Sequence, residues 1–258
     1  MAPLLLCSAG YFGAPQKKQI RVAAASDLQT VMPQIAKAFE QQTQITVSLS
    51  FGSSGNIFAQ IQNGAPFDLF FSADSEFPAR LVRANLTEPR SSAIYAVGSL
   101  VLWMPPGDCD PQTARWNCLL QPSVAKIAIA NPAHAPYGRA AIAALQSAHV
   151  YDQVRGKLVF GENIAQAAQF AQSGNAQAGI LAHSQLLSPA LHAGRFWEIP
   201  PDTYAPIEQT VVVLKASTEK SAAQLFIKFV IEGPGRTMLE QSGFQSPRSS
   251  TQPAESHK

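Results

Sequence analysis

Charge is what this sequence has least of. Asp, Glu, Lys and Arg make up 14% of 258 residues, and Lys+Arg 19 against Asp+Glu 17 leaves a formal net charge of +2. A globular chain averages roughly 25% charged residues. A chain this poor in charge and 46% hydrophobic does not read as disordered, which takes high charge and low hydrophobicity. There is no Lys/Arg run to make a basic stripe, so no nucleic-acid partner is expected. No apolar stretch approaches the roughly 18 residues of a membrane-spanning helix. The 16 glycines and 19 prolines follow no period, which excludes a collagen-like chain. There are only 3 cysteines, none in a CxxC pair or beside histidines at zinc spacing. What remains is a soluble globular protein, long enough for one large domain or two lobes of ~100–130 residues, each with its own core.

Residues 1–19, MAPLLLCSAGYFGAPQKKQ, read as a signal-like or disordered N-terminus. Leu4-Leu5-Leu6 followed by Ser8, Ala9 and Gly10 has the pattern of an apolar region and cleavage site. The stretch before the leucines carries no Lys or Arg, as in a signal that is truncated or whose start is misplaced. A lipid anchor on Cys7 would want a small residue where Leu6 stands, so a cleaved or clipped signal is the preferred expectation. That leaves Cys109 and Cys118, nine positions apart. In an oxidising compartment they are expected to form a disulfide, with about 2.5–3 kcal/mol from loop closure. The polar tail 247–258 has no apolar anchor and is expected to be disordered.

Between these ends, short β-type runs alternate with helical stripes. Strands are expected at Ile20–Ala24, Thr46–Leu49, Phe67–Phe71, Leu100–Trp103, Lys126–Ala130, Leu158–Phe160, Gly179–Ala182 and Thr210–Leu214. Helical spacing joins Val31, Ile35 and Phe39, then Phe58, Ile61 and Ala65. It recurs at Ile142 and Leu145, and at Ile164, Ala167, Ala168 and Ala171. Alternating strands and helices predict an α/β fold with mostly parallel sheets covered on both faces. The Pro-rich stretches at 105–111 and 199–202 bracket about 95 residues, which suggests an inserted second lobe with the chain returning to the first.

The chemistry gathers where strands give way to helices. Four junctions, Ala23–Thr30, Phe51–Asn56, Asn131–Arg139 and Gly161–Gln166, place hydroxyls, glycines or small residues where helix-start N–H groups are unpaired. Such groups, with the helix dipole, make an anion site. In open α/β sheets ligands bind beyond the carboxyl ends of the strands, where these junctions lie. Gly52, Gly55 and Gly138 would let a ligand approach the main chain. Taken singly, Ser26, Ser53, Ser54 and Asn163 read as ordinary caps and Tyr137 as a half-buried aromatic. Asp74 reads as a cap, with no chemistry assigned. Pro33 must fall within or near a first turn, so the first helix proper starts between Asp27 and Met32.

AAASDL, FGSSGNIFAQIQNGAPFDLFFSAD, YAVGSLVLW, NPAHAPYGRAA, AGILAHSQ and EGPGRTMLEQSGF together resemble the periplasmic molybdate-binding proteins of ABC transporters, from about Ile20 to Phe244. The resemblance implies a type II periplasmic binding protein: two α/β lobes, each with a mixed, mostly parallel sheet, and a ligand cleft between them. The implied division is 20–99 plus 209–246 for one lobe and 100–208 for the other. It implies no cofactor and no cationic metal site. It also implies a monomer that delivers molybdate or tungstate to a membrane permease. The implied oxyanion ligands are Ser26, with Asp27 beside it, and Ser54 from one lobe. Tyr137 and the Ile164 backbone N–H come from the other. Uncharged donors suit a dianion because they give charge-assisted hydrogen bonds with no counter-charge to desolvate. Cavity size would then separate molybdate from sulfate.

Two positions depart from that pattern. Ala182 stands where many members have a tyrosine, a role Tyr137 would take from the other side. Asp27 puts a carboxylate where an amide is expected. It is read here as turning away to cap its own helix, with an inward ion pair to Arg139 as the alternative. Other functions fit less well. A hydrolase triad of Ser54 with His134 or His183 lacks a G-x-S-x-G elbow. A regulator's sensing domain would want a preceding helix-turn-helix. A sulfate, phosphate or ferric-ion carrier would share the scaffold.

Overall fold

A computed structural model describes residues 18–247 except Asp108. The signal-like segment up to Lys17, the Cys7 anchor and the tail beyond Pro247 lie outside the described residues.

The chain forms two five-stranded sheets. The first lobe begins with β1 (Gln19–Ala25), a 3-10 turn at Ser26–Leu28, α1 (Met32–Thr43), β2 (Thr46–Gly52), α2 (Ser54–Gln62), β3 (Leu69–Ser72), α3 (Glu76–Arg83) and β4 (Ala93–Gly98). The second holds β5 (Leu100–Met104), α4 (Pro111–Ala114), α5 (Asn117–Leu120), β6 (Ile127–Ala130), α6 (Pro136–Ser147), α7 (Tyr151–Val154), β7 (Leu158–Gly161), α8 (Ile164–Gln172), β8 (Ala178–Ala182), α9 (Pro189–His192) and β9 (Arg195–Glu198). The chain then returns through β10 (Ile207–Val213), α10 (Lys220–Glu232) and α11 (Pro234–Gln241).

The sheets repeat one plan. In the first, of order β2-β1-β3-β10-β4, β1 runs parallel to β2 and β3, and β10 runs antiparallel to β3 and β4. In the second, of order β7-β6-β8-β5-β9, β6 runs parallel to β7 and β8, and β5 antiparallel to β8 and β9. The chain first crosses from one sheet to the other through the single residue Ser99, because β4 ends at Gly98 and β5 starts at Leu100, and it crosses back between β9 and β10. The 105–111 break therefore lies inside the second lobe, after β5, and does not mark its start.

The eight expected strands are present, with ends shifted by a few residues. β4 and β9 were not foreseen. α1 opens at Met32 with Pro33 in its first turn, where a missing N–H costs nothing. α2 stops at Gln62, before Gly64 at φ 82°, so Ala65 lies outside the helix.

Side-chain alternation sorts the first core. Ile20, Val22 and Ala24 of β1 face one cluster and Ala23 the other. The former holds Phe39 of α1 edge-on to Phe226 of α10 at 4.9 Å, and Phe71 edge-on to Tyr95 at 5.1 Å. Each buried ring contributes roughly 1.5–3 kcal/mol. The second lobe has a single core, in which β5, β6 and β8 are buried at every position, as strands covered on both faces must be. Alanines line the inner faces of α6 and α8, so both helices lie close on the sheet. Cys109 and Cys118 are joined by a disulfide beside this core.

Candidate functional site

The four junctions meet. The carboxyl ends of β1 and β2 in one lobe, and of β6 and β7 in the other, lead into the 3-10 turn, α2, α6 and α8. Between them is a small cavity of about 10 Å³. Pockets for organic ligands run roughly 300–1,000 Å³, so this one is far too small for such a ligand. Ser26, Asp27, Ser54, Tyr137 and Ile164 all line it, and no Lys, Arg or His does. A wider groove of about 650 Å³ adjoins it at Ser26 and is lined by glutamines 29, 166, 169, 172 and 185.

Local sequence aims the helix starts. Ser53 caps α2 by accepting from the Asn56 N–H at 3.3 Å, and Asn163 caps α8 by accepting from the Gln166 N–H at 3.0 Å. Both reads as plain caps hold. Each frees the adjoining residue, Ser54 or Ile164, to stand at the cavity as the first of its helix. The Ser54 hydroxyl oxygen accepts from the Ala73 N–H at 3.0 Å, which directs its own proton elsewhere. Pro136 fixes the first turn of α6 and presents Tyr137, which is 2% exposed and not half-buried.

Asp27 is neither a cap nor Arg139's partner. Its turn has no side-chain cap, and its carboxylate lies inside, fully buried. Oδ2 accepts from Tyr137 Oη at 3.0 Å and from Gln209 Nε2 at 2.8 Å. Oδ1 has no partner. Arg139 Nη2 pairs instead with Asp74 Oδ2 at 2.5 Å, across the lobes. The capping expectation failed because α6 and β10 bring two buried side-chain donors, Tyr137 and Gln209, to the carboxylate. Burial pushes the Asp27 carboxyl up to about 6; its bonds to Tyr137 and Gln209 and the nearby N–H groups of Asp27 and Leu28 oppose the rise. The Tyr137 hydroxyl is pushed well above its ordinary value by burial and then by the Asp27 charge.

Asp74 does cap, accepting from the Phe77 N–H at 3.2 Å, and also carries the Arg139 pair. Two of the glycines admit protein and not ligand. A Cβ on Gly55 would lie 2.8 Å from the His134 carbonyl oxygen, to which its N–H donates across the lobes at 2.9 Å. A Cβ on Gly138 would lie 2.2 Å from the Ala130 carbonyl oxygen. The histidines turn away from Ser54: His134 Nε2 faces the Glu162 carbonyl at 3.0 Å, and His183 Nδ1 faces Glu198 at 3.3 Å.

Several residues at the site escaped the sequence. Ser184 Oγ donates to the Asp27 carbonyl at 2.9 Å and Gln185 Nε2 to that of Ser26 at 3.2 Å, sealing the second lobe onto the first. Gln209 Oε1 accepts from Tyr95 Oη at 2.9 Å. Ser184 and Gln185 lie within the AHSQ segment that carried part of the resemblance, and Gln209 is a polar residue at the head of an apolar strand. Those were the available signals.

Two lobes meeting over a small cavity that no Lys, Arg or His lines define a two-lobed α/β protein of the periplasmic binding-protein fold. Comparison with known proteins makes this specific. The chain belongs to the bacterial extracellular solute-binding proteins, whose family model matches residues 20–245. It is 40% identical to the molybdate-binding protein ModA of Azotobacter vinelandii over 92% of this chain and 90% of that one. It is 37% identical to the Rhodobacter capsulatus protein of the same name, over 88% of each. In structure it matches the periplasmic molybdate-binding protein of Azotobacter vinelandii with a TM-score of 0.83 and 34% identity, covering 89% of this chain and 100% of that one.

Proposed function

We propose that this protein captures molybdate or tungstate between its lobes in the periplasm and delivers it to an ABC permease, without catalysing a reaction. The observation that carries this reading is the convergence of four strand ends on one small cavity whose wall holds no cation. The relatives' molybdate-binding names support the choice of anion. The lobes are taken as 20–99 plus 209–246 and 100–208. Ser26 and Ser54 hold the anion from the first and Tyr137 and the Ile164 N–H from the second. The N-termini of α2, α6 and α8 add their dipoles. An anion touching both lobes gains its full set of contacts only when they close, so it draws the equilibrium toward the closed form.

Ser54→Ala and Tyr137→Phe test the assignment. Each removes one donor to a charged ligand, worth about 1.5–3 kcal/mol, so molybdate affinity should fall roughly ten- to a hundredfold while the unliganded protein stays folded. Calorimetric affinities unchanged in both variants would refute it.

A further inference from the structure

Asp27 is the feature the proposed site does not explain, since a carboxylate beside a captured dianion repels it. Three observations bear on its state. Gln209 is held by Tyr95, whose hydroxyl donates to Oε1, so the Gln209 amide nitrogen is the end that faces Asp27 and Tyr137. Oδ2 is therefore the accepting oxygen, bonded to two donors. Oδ1 is fully buried, on a residue that lines the cavity, and is the one buried side-chain nitrogen or oxygen among the described residues with no partner. A hydrogen on Oδ1 would turn this orphaned acceptor into a donor on a residue that lines the cavity.

No neighbour neutralises the carboxylate. From β4 comes Tyr95 and from α6 Tyr137, with both hydroxyls pushed well above their ordinary values and so uncharged. β10 brings Gln209, and the turn after β8 brings Ser184 and Gln185. Of the charged groups nearby, Arg139 is bound to Asp74 and Glu76, His183 to Glu198, Glu162 to Asn56 and His134, and Arg21 to Asp68. The described residues hold no cluster of three or more His, Cys, Asp or Glu that could bind a metal ion.

Resting on the oxyanion reading above, we propose that Asp27 serves the site as a neutral carboxylic acid, its Oδ1 hydroxyl donating to the anion, so that each captured anion brings one proton from solvent with it. The dianion and the proton enter together and the site gains a net charge of −1. Tyr137 is released from Asp27 to donate to the anion while still accepting from Gln209. The rise of the empty site's carboxyl to about 6 places this cost within reach at neutral pH. Two carboxylates sharing one site hold a proton between them for the same reason.

The test is calorimetric titration of the full chain with molybdate at about pH 8, in two non-oxyanion buffers of different ionisation enthalpy. The expected result is uptake of about one proton per anion, with affinity falling about tenfold from pH 7 to 8 and levelling toward pH 6. Asp27→Asn keeps a donor in place of Oδ1 but cannot titrate, so its affinity should be flat over that range with no proton taken up. Should that variant not fold, the wild-type proton count decides alone. Molybdate binding with no proton uptake and no pH dependence overturns this inference and leaves the oxyanion reading standing, as does a pH dependence that survives Asp27→Asn. No binding of molybdate, tungstate, sulfate or phosphate at either pH overturns the reading itself and the inference with it.

Discussion

Asp27 also makes a prediction about the unliganded protein. Its carboxyl goes from 3.8 in a solvated chain to about 6 in the fold, a rise caused by burial. The folded state thus binds the more protons, and stability must fall as pH climbs through the interval between these values. The stabilising condition is fully present below about pH 4, where both states are protonated, and is lost by the time pH passes about 6. About two units at 1.36 kcal/mol each give a penalty of about 3 kcal/mol at pH 8, an upper figure because any water reaching the carboxylate would lower the cost of its charge. Asp27→Asn removes the titration. Its amide oxygen accepts from Tyr137 and Gln209 as Oδ2 does, and its amide nitrogen takes the Oδ1 position. The variant should therefore gain on the wild type as pH rises, by up to about 3 kcal/mol between pH 4 and 8, with the change concentrated below pH 6.5. Urea denaturation at several pH values, without anion, measures the gap. A gap that is constant with pH, or that favours the wild type more at pH 8 than at pH 4, would refute the reasoning.

Further predictions concern the frame around the cavity. A Cβ on Gly98 would lie 2.2 Å from Tyr137 Oη and 2.9 Å from Gln209 Nε2, so Gly98→Ala should displace the tyrosine and weaken molybdate binding more than about tenfold while the protein folds, as calorimetry and circular dichroism would show. Arg139→Ala removes a pair between lobes whose side chains are 37% and 14% exposed. A loss below about 1 kcal/mol is expected, seen as up to about fivefold faster anion release in stopped-flow measurements. Replacing Cys109 and Cys118 by serine opens a loop of sequence separation 9 and should lower stability by about 2.5–3 kcal/mol in urea, with anion affinity unchanged.

Much of this fold is written locally. The buried runs of β5, β6 and β8 and the turn at Pro33 need no tertiary information to be seen. β4 and β9 do. β4 runs into β5 through Gly98 and Ser99 with no turn of the usual kind, because the chain there changes sheets and does not reverse. β9 is four residues at a sheet edge, with none fully buried, so it carries no alternation to detect. At the site, the helix starts could be found because capping residues and glycines mark them. The environment of Asp27 could not. Its partner Gln209 is 182 residues away, on a strand that reaches the cavity only because β10 returns to the first sheet beside β3 and β4. The same holds for Arg139, whose nearest acid in sequence gives no hint of Asp74 across the lobes. Local chemistry shows which residues could act, and topology decides which of them meet.

The central claim is that the cavity between the lobes takes a molybdate-sized tetrahedral oxyanion. Calorimetric titration with molybdate, tungstate, sulfate and phosphate at equal ionic strength tests it most directly. Tight one-to-one binding of molybdate and tungstate, with sulfate and phosphate silent, is the predicted result; preferential binding of sulfate or phosphate, or silence with all four, would contradict it.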